Sequence, residues 1–262
     1  MIKRFINDFK KYYKYIAYRT KADLKSEVAG SYLSWIWLIL EPTCFMLIYT
    51  FISKFIFNSS VEYFTAFIFI GLTIWNFFNK TLVASIKMVK NNRDTVTKVY
   101  IPKWVLLMCK ISVNSVKFAI SFLLVVITMI ILKVPITFNI LYFIFIFITL
   151  FIFTFGVSCL FMHYGVFIED LSNIANILLK MVFYMSGIFF AIDSRIGEPY
   201  STILSKVNPI GAFITQSRGV LLYSSSIDFI VMMIWFLSSI LLCYIGIKTI
   251  YKYENTYVKV MR

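Results

Sequence analysis

The sequence predicts an all-α integral membrane protein with six transmembrane helices. Three observations lead there. Of the 262 residues, 60% are hydrophobic and only 15% are charged, where a soluble domain averages about 45–50% apolar and about 25% charged. Nearly uncharged runs recur along the chain at or above the ~20 residues that a helix needs to cross a bilayer. The charges gather in the segments between those runs, so the formal net charge of +14 reflects topology and implies no nucleic-acid partner.

Residues 1–31 open the chain as an interfacial helix and linker. Ile2, Phe5, Ile6, Phe9, Tyr13 and Ile16 fall on one helical face, and Lys3, Lys10, Lys11 and Lys14 lie largely away from it. That pattern suits a helix lying in the membrane interface, with its lysines toward anionic headgroups. The stretch lacks the continuous apolar region and small-residue cleavage site of a signal peptide.

Spans are expected at 33–57, 63–86, 104–132, 137–162, 171–192 and 228–249. The third carries Lys110 and Lys117 in its first half, so its end projects from the bilayer or these lysines snorkel. The fourth lies in a charge-free run, 134–168, that is longer than one crossing requires; the surplus reads as a turn around "HYGVF". Nineteen Lys and Arg fall in 1–31, 80–110 and 248–262, against five (Lys54, Lys133, Arg195, Lys206, Arg218) in the alternate segments. The positive-inside bias then places both termini and the basic 87–103 loop in the cytoplasm.

Segment 193–227 is expected outside. It is too short for two crossings and too apolar for a plain loop. Asn208-Pro209 reads as an N-cap followed by proline at the first helical position, opening a short helix from about Pro209 to Leu222. Such an element dips toward the membrane as a re-entrant segment where protein covers it, or lies on the surface as an amphipathic helix.

Catalytic signatures are missing. No Gly precedes a Lys, so the chain has no P-loop. GxSxG and HExxH are absent as well, and the one acidic pair, Glu169-Asp170, falls at an expected cytoplasmic membrane edge and reads as a loop or helix-start feature. Cys44, Cys109, Cys159 and Cys243 are far apart in apolar segments and read as small hydrophobes. His163 has no ligand partner at metal spacing. The expectation is transport, with no catalytic residue, metal or cofactor in this chain. Two charges stand out in the apolar runs: Glu41, before Pro42 in the first span, and Lys180, about ten residues into the fifth. Ionisable groups at such depth usually face protein or water.

Four segments carry a resemblance: "DLKSEVAGSYLSWIWLILEP" (23–42), "NNRDTVTKVYIPKWVLL" (91–107), "FIEDLSNIANILLKMVFYMSGIFF" (167–190) and "NPIGAFITQSRGVLLY" (208–223). Together, and in this order, they resemble the membrane subunit of type 2 ATP-binding-cassette exporters. The branch is the one that exports lipid-linked O-antigen, teichoic acid and capsular polysaccharide. The resemblance implies a homodimer of six-span permeases in the bacterial cytoplasmic membrane. Each subunit would dock on a separate nucleotide-binding ATPase that holds ATP and Mg. A polyprenyl-linked polysaccharide would pass between the two membrane subunits. Segment 87–103 resembles the coupling helix, with Arg93, Asp94, Lys98, Tyr100 and Pro102 toward the ATPase; Pro102 also biases Ile101 away from helix. Spans one and five would line the pathway, through Trp35, Trp37, Glu41 and Tyr49, and through Lys180, Tyr184, Ser186, Phe189 and Phe190. Asn208, Pro209 and Arg218 would belong to the external gate. Three alternatives stay open. One is the same architecture exporting a small drug or antibiotic. A channel or ion-coupled carrier would need more embedded acids, and a membrane-bound transferase would need a catalytic His or acid pair.

Overall fold

Each apolar run folds as a helix because a backbone away from water must satisfy its own N–H and C=O groups. The structure, a computed structural model, describes residues 1–28, 34–55, 62–135, 137–192 and 197–260. Helices and turns account for these residues, and no strand occurs among them. α1 spans Ile2–Val28, α2 Ser34–Phe55, α3 Phe64–Ile86, α4 Met88–Asn91, α5 Arg93–Lys98 and α6 Lys103–Ile131. A 3-10 turn at Phe138–Leu141 leads into α7, Tyr142–Phe167, and then α8, Leu171–Met185. Short helical turns over 200–207 precede α9, Pro209–Leu222, and α10, Phe229–Val260.

Among the described residues four helices are long and apolar enough to cross a membrane: α3, α6, the 3-10 turn with α7, and the Phe229–Tyr257 part of α10. Two further apolar helices, Ile39–Ile52 within α2 and Leu171–Met185, are shorter. At 1.5 Å per residue, α8 reaches about 22 Å, less than the ~30 Å hydrocarbon core.

The expected element ends need correction at three places. The fifth span, 171–192, is not one helix: α8 stops at Met185, and the chain turns through Gly187 at φ +62°. A side chain at Gly187 would be strained at that φ and would collide with Ile192. The turn placed at "HYGVF" is helix, and α7 continues to Phe167. It continues because His163 Nδ1 meets Tyr257 Oη at 2.8 Å and Gly165 lets α7 press against Ile86 O. The sixth span, expected to end at 249, runs on to Val260, since Tyr251, Glu254 and Tyr257 find partners on α1, α6 and α7. Residues 29–33, 56–61, 136 and 193–196, with Arg195 among them, lie outside the described set.

α3 is the hub. In its apolar window 78% of residues are buried, against 22–44% for the other three long helices. α6, α7, α2 and α9 all pack on it. α7 and α10 make the closest long pairing: a Cβ on Gly156 would sit 2.7 Å from Cys243 N, and one on Gly246 2.6 Å from Cys159 Cβ. Small residues let two helix backbones approach where lipid supplies no hydrophobic drive for association. α1 lies along α6, with Phe5 against Trp104 at 4.6 Å between ring centroids and Ile16 buried. Ile2, Ile6, Phe9 and Tyr13 of the same helix stay exposed.

Candidate functional site

The termini and the 87–103 segment meet at one end of the bundle, and its geometry starts from α4 and α5. These are two short helices, not one. Asn92 separates them: its backbone departs from helix (φ −109°, ψ 25°), while its side-chain amide donates to Met88 O at 2.8 Å. Met88, Val89 and Val96 are buried and anchor the pair. Arg93, Asp94 and Lys98 are exposed. After Lys98 the chain extends at Val99 (φ −131°, ψ 133°), and Pro102 is buried at the start of α6. The result is a charged face held rigidly on an apolar footing.

Tyr100 ties this face to the rest of the end. Its hydroxyl accepts from Arg4 Nη2 at 2.6 Å and donates to Glu254 Oε2 at 3.0 Å. Its carbonyl accepts from the Tyr12 hydroxyl at 3.3 Å. Arg4 Nη2 also pairs with Glu254 Oε1 at 2.7 Å, and its guanidinium lies 4.2 Å from the Tyr251 ring centroid. Tyr251 donates to Asp8 Oδ2 at 2.7 Å and accepts from Trp104 Nε1 at 2.9 Å. One network therefore joins α1, the exit of α5, α6 and α10.

The expected pathway residues divide into two groups. Trp37 and Glu41, one turn apart on α2, are exposed, and Glu41 Oε1 pairs with Lys80 Nζ at 2.9 Å. Lys180 and Tyr184, one turn apart on α8, are exposed too, and Lys180 has no ion pair among the described residues. Trp35 and Tyr49 lie on α2, with their side chains outside the described set. Ser186 is an interior residue: it is fully buried, donates to Val182 O at 2.6 Å and accepts from Asn208 Nδ2 at 3.1 Å. Phe189 and Phe190 are half-buried, and Phe189 stands edge-on to Phe183 at 5.3 Å. Cys44, read as a buried hydrophobe, is exposed on α2.

At the opposite end, α9 opens with Asn208 as its cap, whose Oδ1 accepts from Ile210 N at 3.2 Å, and with Pro209 in its first turn. Asn208 Nδ2 also reaches back to Met185 O at 3.3 Å. Arg218, expected in the external gate, is buried. Its guanidinium donates to Phe67 O (3.0 Å), Gly187 O (2.7 Å) and Ile188 O (2.8 Å), and stacks 3.4 Å from the Phe67 ring centroid. Arg218 therefore does not belong among the outward charges in the orientation count. Asn208 and Arg218 together pin the turn that ends α8.

The profile of ABC-2 type transporters matches residues 18–222, from within α1 to the last residue of α9. The chain belongs to the ABC-2 type transporter family. It is similar to an O-antigen export system permease protein RfbA of Myxococcus xanthus, at 23% identity over 83% of this chain and 84% of that protein. Two proteins of the same name from Klebsiella pneumoniae are each 24% identical over 92% of this chain and 93% of their own length. The chain is thus the membrane permease component of an ABC-2 transporter, multi-pass and nearly all helical.

This ABC-2 permease also holds a polar cleft that was not anticipated from its sequence. Lys80 and Asn76 on α3 and Asn114, Lys117 and Ser121 on α6 line it, with Glu41 of α2 at its rim. Asn114 Nδ2 donates to Thr81 Oγ1 at 2.8 Å, which fixes α3 and α6 in register there. Glu27, near the end of α1, takes Lys110 Nζ at 3.0 Å and pairs also with Lys117. Burial works against the charge of Glu27, but the hydrogen bonds from Lys117 and Lys110 outweigh it and hold the carboxyl below its ordinary range. A signal was present: Asn76 and Lys80 are four apart, and Asn114, Lys117 and Ser121 are three and four apart, so each set falls on one helical face.

Proposed function

We propose that this permease moves a lipid-linked polysaccharide (O-antigen, teichoic acid or capsule) out across the bacterial cytoplasmic membrane. It works as a homodimer, each copy docked on a separate cytoplasmic ATPase that binds ATP and Mg. The observation that carries the reading is the α4–α5 pair, whose exposed Arg93, Asp94 and Lys98 stand on buried Met88, Val89 and Val96. Such a rigid charged projection suits a cleft in a partner protein and can transmit a push. The relatives, named as O-antigen export permeases, support the substrate class. Nineteen basic residues on the side of the termini favour cytoplasmic ends, and counting α2 and α8 as crossings gives six spans. The exposed Trp37 and Tyr184 offer aromatic faces to the apolar C–H faces of sugar rings, and Lys180 offers a mobile point charge to the pyrophosphate of the carrier lipid.

The test is purification of the tagged chain from its own membranes with identification of any ATPase that comes with it, followed by export of surface polysaccharide in cells. The purified complex should hold two permeases and two ATPases. Replacing Arg93, Asp94 and Lys98 together by Ala should lower complex yield or uncouple ATP hydrolysis from export. Normal yield with normal export in that triple variant would refute the coupling role. A complex that assembles and hydrolyses ATP but exports no polysaccharide would refute the substrate class.

A further inference from the structure

We propose that the cleft between α2, α3 and α6 binds a phosphate group carried on an anionic lipid headgroup. The charge balance comes first. Lys80 pairs with Glu41, while Lys110 and Lys117 share Glu27. Three ammonium groups share two carboxylates, which leaves one positive charge without a counter-ion among the described residues. Isolated charge is costly within a membrane, so an anion is the missing partner.

The donors come second. Each ammonium has three N–H groups. Lys80 and Lys117 each use one on a carboxylate, and both line the cleft with the Asn76 amide and the Ser121 hydroxyl. Lysine ammonium and neutral N–H and O–H donors lining one cleft match a phosphate, whose oxygens accept from both kinds. The cleft has a volume of about 70 Å³, several times the ~10–15 Å³ that a single water needs by the same kind of measure.

Position comes third. Lys80 is six residues before the end of α3 at Ile86, so it lies about 9 Å inside the end that carries the termini. That is where a headgroup phosphate meets the acyl region. Lys80 and Glu41 are each nearly half exposed, so the cleft is open at this rim. Phe77 and Phe118, edge to face at 5.5 Å, give it an apolar floor for the glycerol and first methylenes. Lys180 does not line this cleft, and Glu41 is the one residue the cleft shares with the expected pathway face of α2.

The experiment measures lipid retained by the full chain in a zwitterionic detergent, by native mass spectrometry, during titration with phosphatidylglycerol or phosphatidylcholine. Phosphatidylglycerol should bind in preference. Lys117→Gln should weaken it about fivefold, the effect of one lysine near an anionic headgroup. Glu41→Gln should strengthen it, because Lys80 is then released to the phosphate. The two variants separate a ligand site from a structural one: each breaks one ion pair, yet binding moves in opposite directions. A parallel fall in both, or equal retention of the two lipids, would overturn the proposal. Displacement by millimolar inorganic phosphate would overturn the lipid assignment and leave a site for soluble phosphate. Binding is read without transport, so a failure here is distinct from a failure of the export reading.

Discussion

Arg218→Met removes the guanidinium that pins the end of α8 while keeping most of the stem. The turn carbonyls of Gly187 and Ile188 accept from it at 2.7 and 2.8 Å, and Phe67 O at 3.0 Å. Hydrogen bonds to a charged donor contribute about 1.5–3 kcal/mol each, and a buried acceptor left without a donor costs about 1–3 kcal/mol. Phe67 lies inside α3 and keeps its place in the helix ladder, so the loss falls mainly on the two turn carbonyls. Against this, the variant no longer buries a cation, which offsets part of the loss. The balance comes to about 3 kcal/mol of destabilisation. In a chain of this size that lowers Tm by roughly 6–12 °C, measured by tryptophan fluorescence on the purified full chain. Arg218→Lys keeps the charge but not the planar fork or the stacking on Phe67, and should recover no more than half. Hydrogen exchange should rise across 185–190 before it rises in α10. A Met variant that melts within about 2 °C of the parent, less than 1 kcal/mol on the same scale, would refute the claim that Arg218 holds this turn.

Orientation is tested by cysteine labelling in a Cys44→Ser background, with an impermeant thiol reagent applied from outside. Tyr200→Cys should react and Asn91→Cys should not; Tyr200 and Asn91 are both exposed, whereas Ser201 beside Tyr200 is buried. The reverse pattern would invert the topology. Glu27 has a depressed carboxyl pKa, so its ion pairs add stability that is complete above the unfolded value of about 4.3 and is lost as pH falls through the lower folded value. Tm of the parent should therefore drop more steeply than that of Glu27→Gln below about pH 4; parallel curves would exclude the contribution. For Lys180, exposed on α8, the Gln variant should abolish export and substrate-stimulated ATP hydrolysis at normal expression, and the Arg variant should retain part of both. Parental export by Lys180→Gln would remove it from the pathway.

Local signals in the sequence located the helices where one rule dominated. Asn208-Pro209 opens α9 because an N-cap acceptor and a preset φ act within three residues. Apolar length marked α3, α6 and α7. Where tertiary partners decide, the sequence was silent. α10 outruns its apolar stretch because Tyr251, Glu254 and Tyr257 are satisfied by residues more than 90 positions away. α8 falls short of its apolar stretch because Asn208 and Arg218 hold the turn behind it. Arg218 misled a charge count for the same reason: a count assigns each cation to a surface, and this one is solvated by backbone carbonyls. The cleft at Lys80 and Lys117 shows in the sequence only as two separate polar faces; joining them needs the register of α3 against α6, which the Asn114–Thr81 hydrogen bond sets.

The two ends of the molecule are built on different physics, and this bears on how a push at α5 would travel. Tyr100 lies two residues beyond α5 and is bonded to both Arg4 and Glu254. Displacing α5 must either break these bonds or carry α1 and α10 with it. Bonds to charged groups contribute about 1.5–3 kcal/mol each, so moving the three elements together costs less than parting them. α3 is held differently, by close packing over most of its length, and packed interiors shift between discrete arrangements instead of deforming smoothly. A push on α5 thus reaches the interfacial helix and the last helix as a unit, while α3 serves as the surface they move against. On the far side of that hub, the α8 turn is gripped from Asn208 and from Arg218 of α9. Were α5 pushed, the movement would reach α2 through α1, α3 and α6, which pack on it, and α8 through α3 and α7, so the exposed residues on those two helices, Trp37, Glu41, Lys180 and Tyr184, are the ones whose surroundings a transport cycle would change.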